Sequence, residues 1–378
     1  MIASVLSQKF KVVASEDHQN IARNYTEPLY KMYTGDYRTG IFESAEMLAS
    51  KYGDFTSDIA VATNVGEAHL EDFLTRDRIF DRVLGVLGLM RAAGHCYVDG
   101  CDEYLKKVAL KKPRCVRMYG MSPEMEYHSE NISNLGINGV NCDLVRGGDR
   151  VNVTIPVPGL QFINAALVSF AIGLDYGVSL EDIKRGIESY QTSKLRSKVF
   201  RTGMVSIIED TYNSSPMSVR AAADTLSTLE GRKVMIWGDM LKLGDSTEKL
   251  HEETLEYIVN SKVDLLISVG AKGVNEKRDA ASMRAGECIK SAVDRHADTL
   301  KFIRVAEPLD LLDLLPSVIK KGDSIFVKGD ADLNKQFHKV VLALKGYEDS
   351  GRIKFVNTVT KRLDRAMLAL RGRFSSAK

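Results

Sequence analysis

Two short segments carry the residue types that phosphate and metal chemistry uses. In Asn64-Val-Gly-Glu-Ala-His69-Leu-Glu71 a histidine follows an apolar run ending at Thr63, which would deliver its imidazole to the carboxyl edge of a strand. There it could coordinate a divalent metal or meet a phosphate; taken alone, it reads more often as a structural histidine bonded to a backbone carbonyl. Glu43, in Ile41-Phe-Glu-Ser44, also closes an apolar run, and by itself reads as a solvated loop carboxylate. As a pair they would offer one Mg²⁺ a carboxylate and an imidazole, beside the waters and phosphate oxygens that this ion retains.

A third constellation is longer and more specific. Ile208-Glu-Asp210-Thr-Tyr212-Asn213-Ser-Ser-Pro216 is followed by Trp237-Gly-Asp239-Met240-Leu-Lys-Leu243-Gly244 and then by His251. Asp210 and Gly238-Asp239 close apolar runs, where open α/β sheets bind ligands. Pro216 falls near the first turn of the next helix, where its missing N–H is no loss.

The elements that must position these groups are β-branched runs alternating with helical stretches, the pattern of parallel sheets covered by helices. Strands are expected at 11–14, 39–42, 58–63, 205–208, 233–237, 264–269, 302–305 and 324–327. Alternating residues and the Gly147-Gly148 turn predict a β-meander between Val140 and Val157, and Pro156-Val-Pro158-Gly then leads into a long helix. The boundary between two α/β domains is expected within Gln191–Lys198, after a helix over Leu180–Ser189. At the start, Ile2, Val5 and Leu6 have helical spacing with no capping residue before them, as in a helix that has lost its beginning.

Composition narrows the class. A chain of 378 residues, 44% hydrophobic and 27% charged, has the make-up of a soluble globular protein of two or three domains, and a net charge of +2 gives no sign of nucleic-acid binding. The five cysteines follow no C-x-x-C spacing, which disfavours a disulfide framework and a zinc site and suits a reducing cytoplasm. The longest apolar run, Ala165–Leu174, is too short to span a bilayer, and no signal-peptide pattern follows Met1. A cytoplasmic protein without membrane or nucleic-acid partners is expected. The basic tail from Gly351 places Val359, Leu363, Met367 and Leu370 at helical spacing, which predicts a helix packed on the body or on another subunit.

The ordered match Asp-x-Tyr-Asn-x-x-Pro, Gly-Asp-Met-x-x-Leu-Gly and His251 resembles the C-terminal domain of the Mur ligases, closest to their D-alanyl-D-alanine-adding (MurF) branch. The resemblance implies an α/β fold: a Mur ligase central domain over 1–195, with a P-loop-type parallel sheet and added β-meander, truncated at its N-terminus, then a Rossmann-like domain over 196–347 and the helical tail over 348–378. It implies ATP and Mg²⁺ as cofactors, with Glu43 and His69 as catalytic metal ligands. Asn164, in Gly159-Leu-Gln161-Phe-Ile-Asn164-Ala-Ala, takes the place that meets adenine, although Gln161 stands for the family's histidine. Arg196 takes the place of a nucleotide-binding arginine and Asp210 that of a ribose contact, with Tyr212 and Asn213 beside it. Lys328, in Val327-Lys328-Gly329, is the matching substrate-binding lysine, although Asp330-Ala331 replaces the family's Ser-Arg. The implied function is ADP-forming amide ligation of an amino acid or dipeptide to a carboxylate through an acyl phosphate, on a cell-wall precursor. The alternatives are a non-catalytic relative with a binding or regulatory role, or a ligase for another carboxylate; the substrate in each case is a small molecule or peptide precursor. Three departures bear on that choice. No G-x-x-x-x-G-K-[ST] loop occurs in this sequence, Val83 stands where many members carry a carbamylated lysine, and the protein is expected to lack the family's UDP-sugar domain.

Overall fold

The structure is a computed structural model and describes residues 1–15, 25–35, 37, 39–43, 56–111, 115–272, 275–296 and 300–346. The tail expected to be helical, 348–378, lies outside the described residues.

Helix α1 (Ile2–Leu6) opens the chain with no side-chain cap and leads through β1 (Val12–Ala14) and α2 (Thr26–Thr34) to β2 (Thr39–Ile41), which pairs in parallel with β1. A second parallel ladder joins β3 (Ser57–Ala62), β4 (Met90–Asp99) and β5 (Val116–Tyr119), with α3 (Leu70–Phe73), α4 (Arg76–Leu87) and α5 (Lys106–Lys111) in the crossovers. The meander is antiparallel, but it has one strand more than the alternation announced: β6 (His128–Asn134) precedes β7 (Val140–Arg146) and β8 (Asp149–Ile155). Arg146 pairs with Asp149 across the two glycines, and Gly147 holds φ at 54°, as a two-residue hairpin demands.

Helix α6 (Gln161–Asp175) is apolar almost all round because it is buried on most sides, between the meander and the parallel strands. Helix α7 (Leu180–Glu188) is amphipathic. Its cap Ser179 accepts the Asp182 N–H, and Ile183 and Ile187 turn inward.

The second unit is one sheet in the order β13-β12-β11-β14-β10-β9. Its strands are β9 (Lys198–Arg201), β10 (Ser206–Asp210), β11 (Lys233–Gly238), β12 (Leu265–Val269), β13 (Lys301–Val305) and β14 (Ser324–Lys328), and only the β9–β10 pair is antiparallel. Helices α8 (Pro216–Ser227), α9 (Thr247–Val259), α10 (Glu276–Asp294), α11 (Leu311–Val318) and α12 (Asn334–Lys345) cover it. Both faces are buried, which accounts for the nearly continuous apolar text of β11, β12 and β14. One face, with Ile207, Ile236, Ile267 and Val327, packs under α11 and α12. The other, with Ile208, Trp237, Leu266 and Phe326, shares a core with Leu70, Phe73, Ile79 and Val98 of the first unit. The two units therefore meet through a common apolar core.

Candidate functional site

The strands of the first unit deliver their carboxyl ends to one cavity of about 530 Å³. Its wall takes Ser15 after β1, Phe42 and Glu43 after β2, Thr63 and Asn64 after β3, and Asp99 at the end of β4. The first residues of the chain, Gln161 and Asn164 on α6, and Met217 on α8 of the second unit complete it. Parallel strands place their last residues on the same edge, so residues far apart in sequence share one wall.

The backbone here is held by side chains. The Glu43 N–H donates to Ser15 Oγ at 3.0 Å and the Glu43 carbonyl accepts the Tyr25 hydroxyl. Asp102 fixes the loop after β3: its Oδ2 accepts the Val65 N–H at 3.0 Å while Oδ1 accepts the N–H groups of Tyr104 and Leu105. Asp99 is buried, its Oδ1 accepts the Cys101 N–H at 2.8 Å, and its Oδ2 accepts Asn164 Nδ2–H at 2.7 Å. Burial pushes the Asp99 carboxyl above the usual carboxylate range. Asn164 Oδ1 is buried and has no hydrogen-bond partner among the described residues.

A second set of groups lies at the end of β10. Lys328 is 1% exposed, and its ammonium donates to Asp210 Oδ2 at 2.9 Å and to the Asn213 carbonyl at 2.7 Å. The Leu195 carbonyl accepts the N–H groups of both Thr211 and Tyr212, tying the connection between the units to this loop. The Arg196 guanidinium sits 4.1 Å from the centre of the Tyr212 ring. Leu195 and Ser197 hold φ at 63° and 41°, a region that side chains disfavour and that often accompanies functional loops. Ser215 caps α8 in a capping box with Ser218, and Pro216 takes the first turn as its position suggested. The residue after it, Met217, reaches the cavity, so the Asp210–Ser215 loop abuts the site built by the first unit.

Between these sets runs a polar seam. The Glu71 N–H donates to the Lys242 carbonyl at 3.0 Å, and the Glu71 carboxylate pairs with Lys277 and, at 2.6 Å, with Arg278, which also lies 3.3 Å from Asp332. These partners hold the Glu71 carboxyl below its ordinary range, the hydrogen bond from Lys277 being the largest contribution. Gly244 adopts φ 59°, and a side chain there would approach the Glu71 backbone at 3.2 Å.

Of the residues singled out in the sequence, Glu43 and Asn164 line one cavity, whereas Asp210, Tyr212, Asn213, Arg196 and Lys328 form a separate cluster beside Met217. His69 is not among the cavity-lining residues; it precedes α3 with φ 62°, and its Nδ1 lies 3.5 Å from Asp72 Oδ2 without a hydrogen bond among the described residues. No group of three or more His, Cys, Asp or Glu among the described residues is arranged to hold a metal ion. Val83 on α4 packs against the shared core.

His251 has a structural place. Buried and stacked on Trp237 at 5.6 Å, it accepts the Met240 N–H at Nε2, and its Nδ1 faces the Thr247 carbonyl at 2.7 Å. Burial lowers its pKa. Asp239 is likewise buried, gripped at both oxygens by Arg304 at 2.9 and 2.8 Å. Asp102, Glu71 and Arg304 escaped the sequence reading because the contacts that tie them into the site reach Val65, Arg278 and Asp239, which are 37, 207 and 65 residues away.

With the geometry established, comparison with known proteins is informative. The chain matches the Mur ligase middle domain over residues 1–173 and the Mur ligase glutamate ligase domain over residues 195–331. It is 28% identical over 274 residues to the UDP-N-acetylmuramoyl-tripeptide–D-alanyl-D-alanine ligase of Bacillus subtilis, covering 72% of this chain and 56% of that one. The ligase of the same name from Escherichia coli is 26% identical, over 56% of this chain and 48% of its own. The chain thus spans about half the length of these relatives. Among solved structures, MurF from Acinetobacter baumannii superposes with a TM-score of 0.74 at 22% identity, covering 91% of this chain and 72% of its own. MurF from Thermotoga maritima in complex with ADP gives 0.68 at 20% identity, covering 90% and 77%. At such identities these structures bear on the fold alone. No described helix is long and apolar enough to cross a membrane.

Proposed function

The chain belongs to the Mur ligase family, and from that premise we propose that it carries out the ADP-forming amide ligation named for its B. subtilis and E. coli relatives, joining D-alanyl-D-alanine to a UDP-N-acetylmuramoyl-tripeptide in the cytoplasm. The reading rests on one observation: strand ends of the first unit and Met217, next to the Asp210–Ser215 loop of the second, wall the same cavity.

In the reaction a substrate carboxylate attacks the γ-phosphorus of ATP, the bond to the β-phosphate oxygen breaks, and ADP leaves. The amine of the second substrate then attacks the acyl carbon and loses a proton as inorganic phosphate departs. The first step depends on positioning and on charge neutralisation, the second on keeping water from the acyl phosphate. Asn164 would meet the adenine, Asp210 the ribose, and Arg196, 4.1 Å from the centre of the Tyr212 ring, would lie along the nucleotide. Lys328 would act by keeping the Asp210–Asn213 loop in place, since its ammonium is already engaged with both residues.

Mg²⁺ would supply charge neutralisation at the phosphates. Glu43 lines the cavity and would offer it a carboxylate; His69 lies outside that wall, and its place as second ligand rests on the resemblance of Asn64–Glu71 to the family's metal-binding segment.

The test is ADP release in the presence of MgATP, the UDP-sugar tripeptide and D-alanyl-D-alanine. Release that requires all three and accompanies an amide product supports the proposal. Release without product, or no release with any of them, overturns it.

A further inference from the structure

Asp99 has no role in the scheme above, yet it controls the one side chain proposed to read the base. A carboxylate accepts hydrogen bonds and has none to donate. Asp99 Oδ1 is committed to the Cys101 N–H, so Oδ2 is the atom that Asn164 meets, and at 2.7 Å the amide must turn its NH₂ toward it. The Asn164 carbonyl oxygen is thereby left on the other side, buried and with no partner among the described residues, on a residue of the cavity wall. A buried acceptor without a donor is unfavourable, and a ligand donor would relieve it.

We propose that Asp99 is a positioning residue that locks the Asn164 amide with its carbonyl as acceptor, and so makes the cavity prefer a purine with an amino group at C6 over one with an oxo group. This rests on the reading of the cavity as a nucleotide site. An amide free to turn would serve either base, since it can offer C=O or NH₂; one held by a carboxylate can offer only C=O. An oxo group brought to that carbonyl would set two acceptors against each other, which is how a site built around a hydrogen bond rejects the wrong partner.

ADP and IDP differ only on that side of the purine, so their affinities for the full chain, measured by titration calorimetry, isolate the effect. The chain as it stands is expected to bind ADP about tenfold more tightly than IDP, the scale of one buried hydrogen bond made or left unmade. In Asp99→Asn, where the partner can donate as well as accept, the ratio should fall close to one. In Asn164→Ala the ratio should also be near one, and adding Asp99→Asn to it should change nothing further, because the effect passes through the amide.

The exchanged pair Asp99→Asn with Asn164→Asp restores a fixed acceptor and should recover the preference for ADP; general loosening of the wall would not be repaired in this way. An ADP/IDP ratio unchanged in Asp99→Asn, or unrestored in the exchanged pair, overturns the lock while leaving nucleotide binding intact. Failure of the unaltered chain to bind either nucleotide overturns the nucleotide reading and the lock with it.

Discussion

Replacing Arg278 by Met removes the centre of the seam between the two units while keeping much of its apolar stem. Arg278 is 13% exposed along its side chain and Glu71 18%, so their 2.6 Å contact is poorly screened, and Arg278 also reaches Asp332. Breaking a fully buried pair costs about 3 to 5 kcal/mol, and an exposed one under about 1. Here Lys277, 70% exposed, stays with Glu71 after the change and softens the loss. An effect of about 2 kcal/mol on closing the junction is the reasonable middle, close to a thirtyfold change in its opening constant. The Glu71 amide reports this directly, because its hydrogen bond crosses the junction to the Lys242 carbonyl. Its hydrogen exchange should therefore quicken about thirtyfold in Arg278→Met, and amides in the middle of β12, which lies away from the seam, should keep their protection. Raising the salt concentration tenfold should bring the unaltered chain part of the way toward the variant, since the rim of the seam is screened. Equal protection of the Glu71 amide in both chains would show that the apolar contacts of Leu70, Phe73, Met240 and Leu243 alone hold the units together, and would refute the reasoning.

Three further outcomes are expected. His251 is buried with a lowered pKa, so below about pH 6.5 the unfolded chain takes up a proton that the folded chain refuses, and stability should fall as pH drops from 7 to 5; His251→Gln, compared by thermal melting across that window, should show a flatter slope. Lys328→Met strands Asp210 beside the Asn213 carbonyl and should lower unfolding stability in urea by about 3 kcal/mol, less in the double variant with Asp210→Asn, because the loss comes from the unpaired charge. If Glu43 and His69 hold the metal as proposed, Glu43→Gln and His69→Ala should each raise the Mg²⁺ concentration needed for half-maximal ADP release by about tenfold or more, whereas an unchanged requirement in either variant removes that residue from the ligand set.

The order of elements was largely legible because apolar runs of four to six residues, punctuated by Gly, Asn or Asp, recur along both units. Val12–Ala14, Ser57–Ala62 and the strands carrying Asp210, Gly238 and Lys328 all fall where the text places them. The strand β6 was missed because His128-Ser-Glu-Asn-Ile-Ser-Asn134 is mostly polar; it pairs with β7 on one side only, and its exposed half needs no apolar residue. Motifs located Asp210 and Asn164 but not what holds them. That Lys328 is engaged by Asp210 is a matter of strand order, since β14 slots between β10 and β11, an order that the residue types do not encode. Likewise His251 sits in a motif beside Asp239, yet it is packed inside and bonded to backbone, a fate that depends on the stacking of α9 against Trp237.

Met217 is the one described side chain of the second unit in the cavity wall, and it comes close because residue 66 is glycine: a Cβ there would lie 2.7 Å from Met217 Cε. A molecule filling the cavity consequently touches both units at once, and whatever free energy it gains from Met217 it gains only while they are together. Thermodynamic reciprocity then applies: occupancy must tighten the joint by the same factor by which a tighter joint raises affinity. A side chain at position 66 would push the flexible end of Met217 aside, and ligand affinity would respond to the loss of that contact even though residue 66 itself need never touch the ligand.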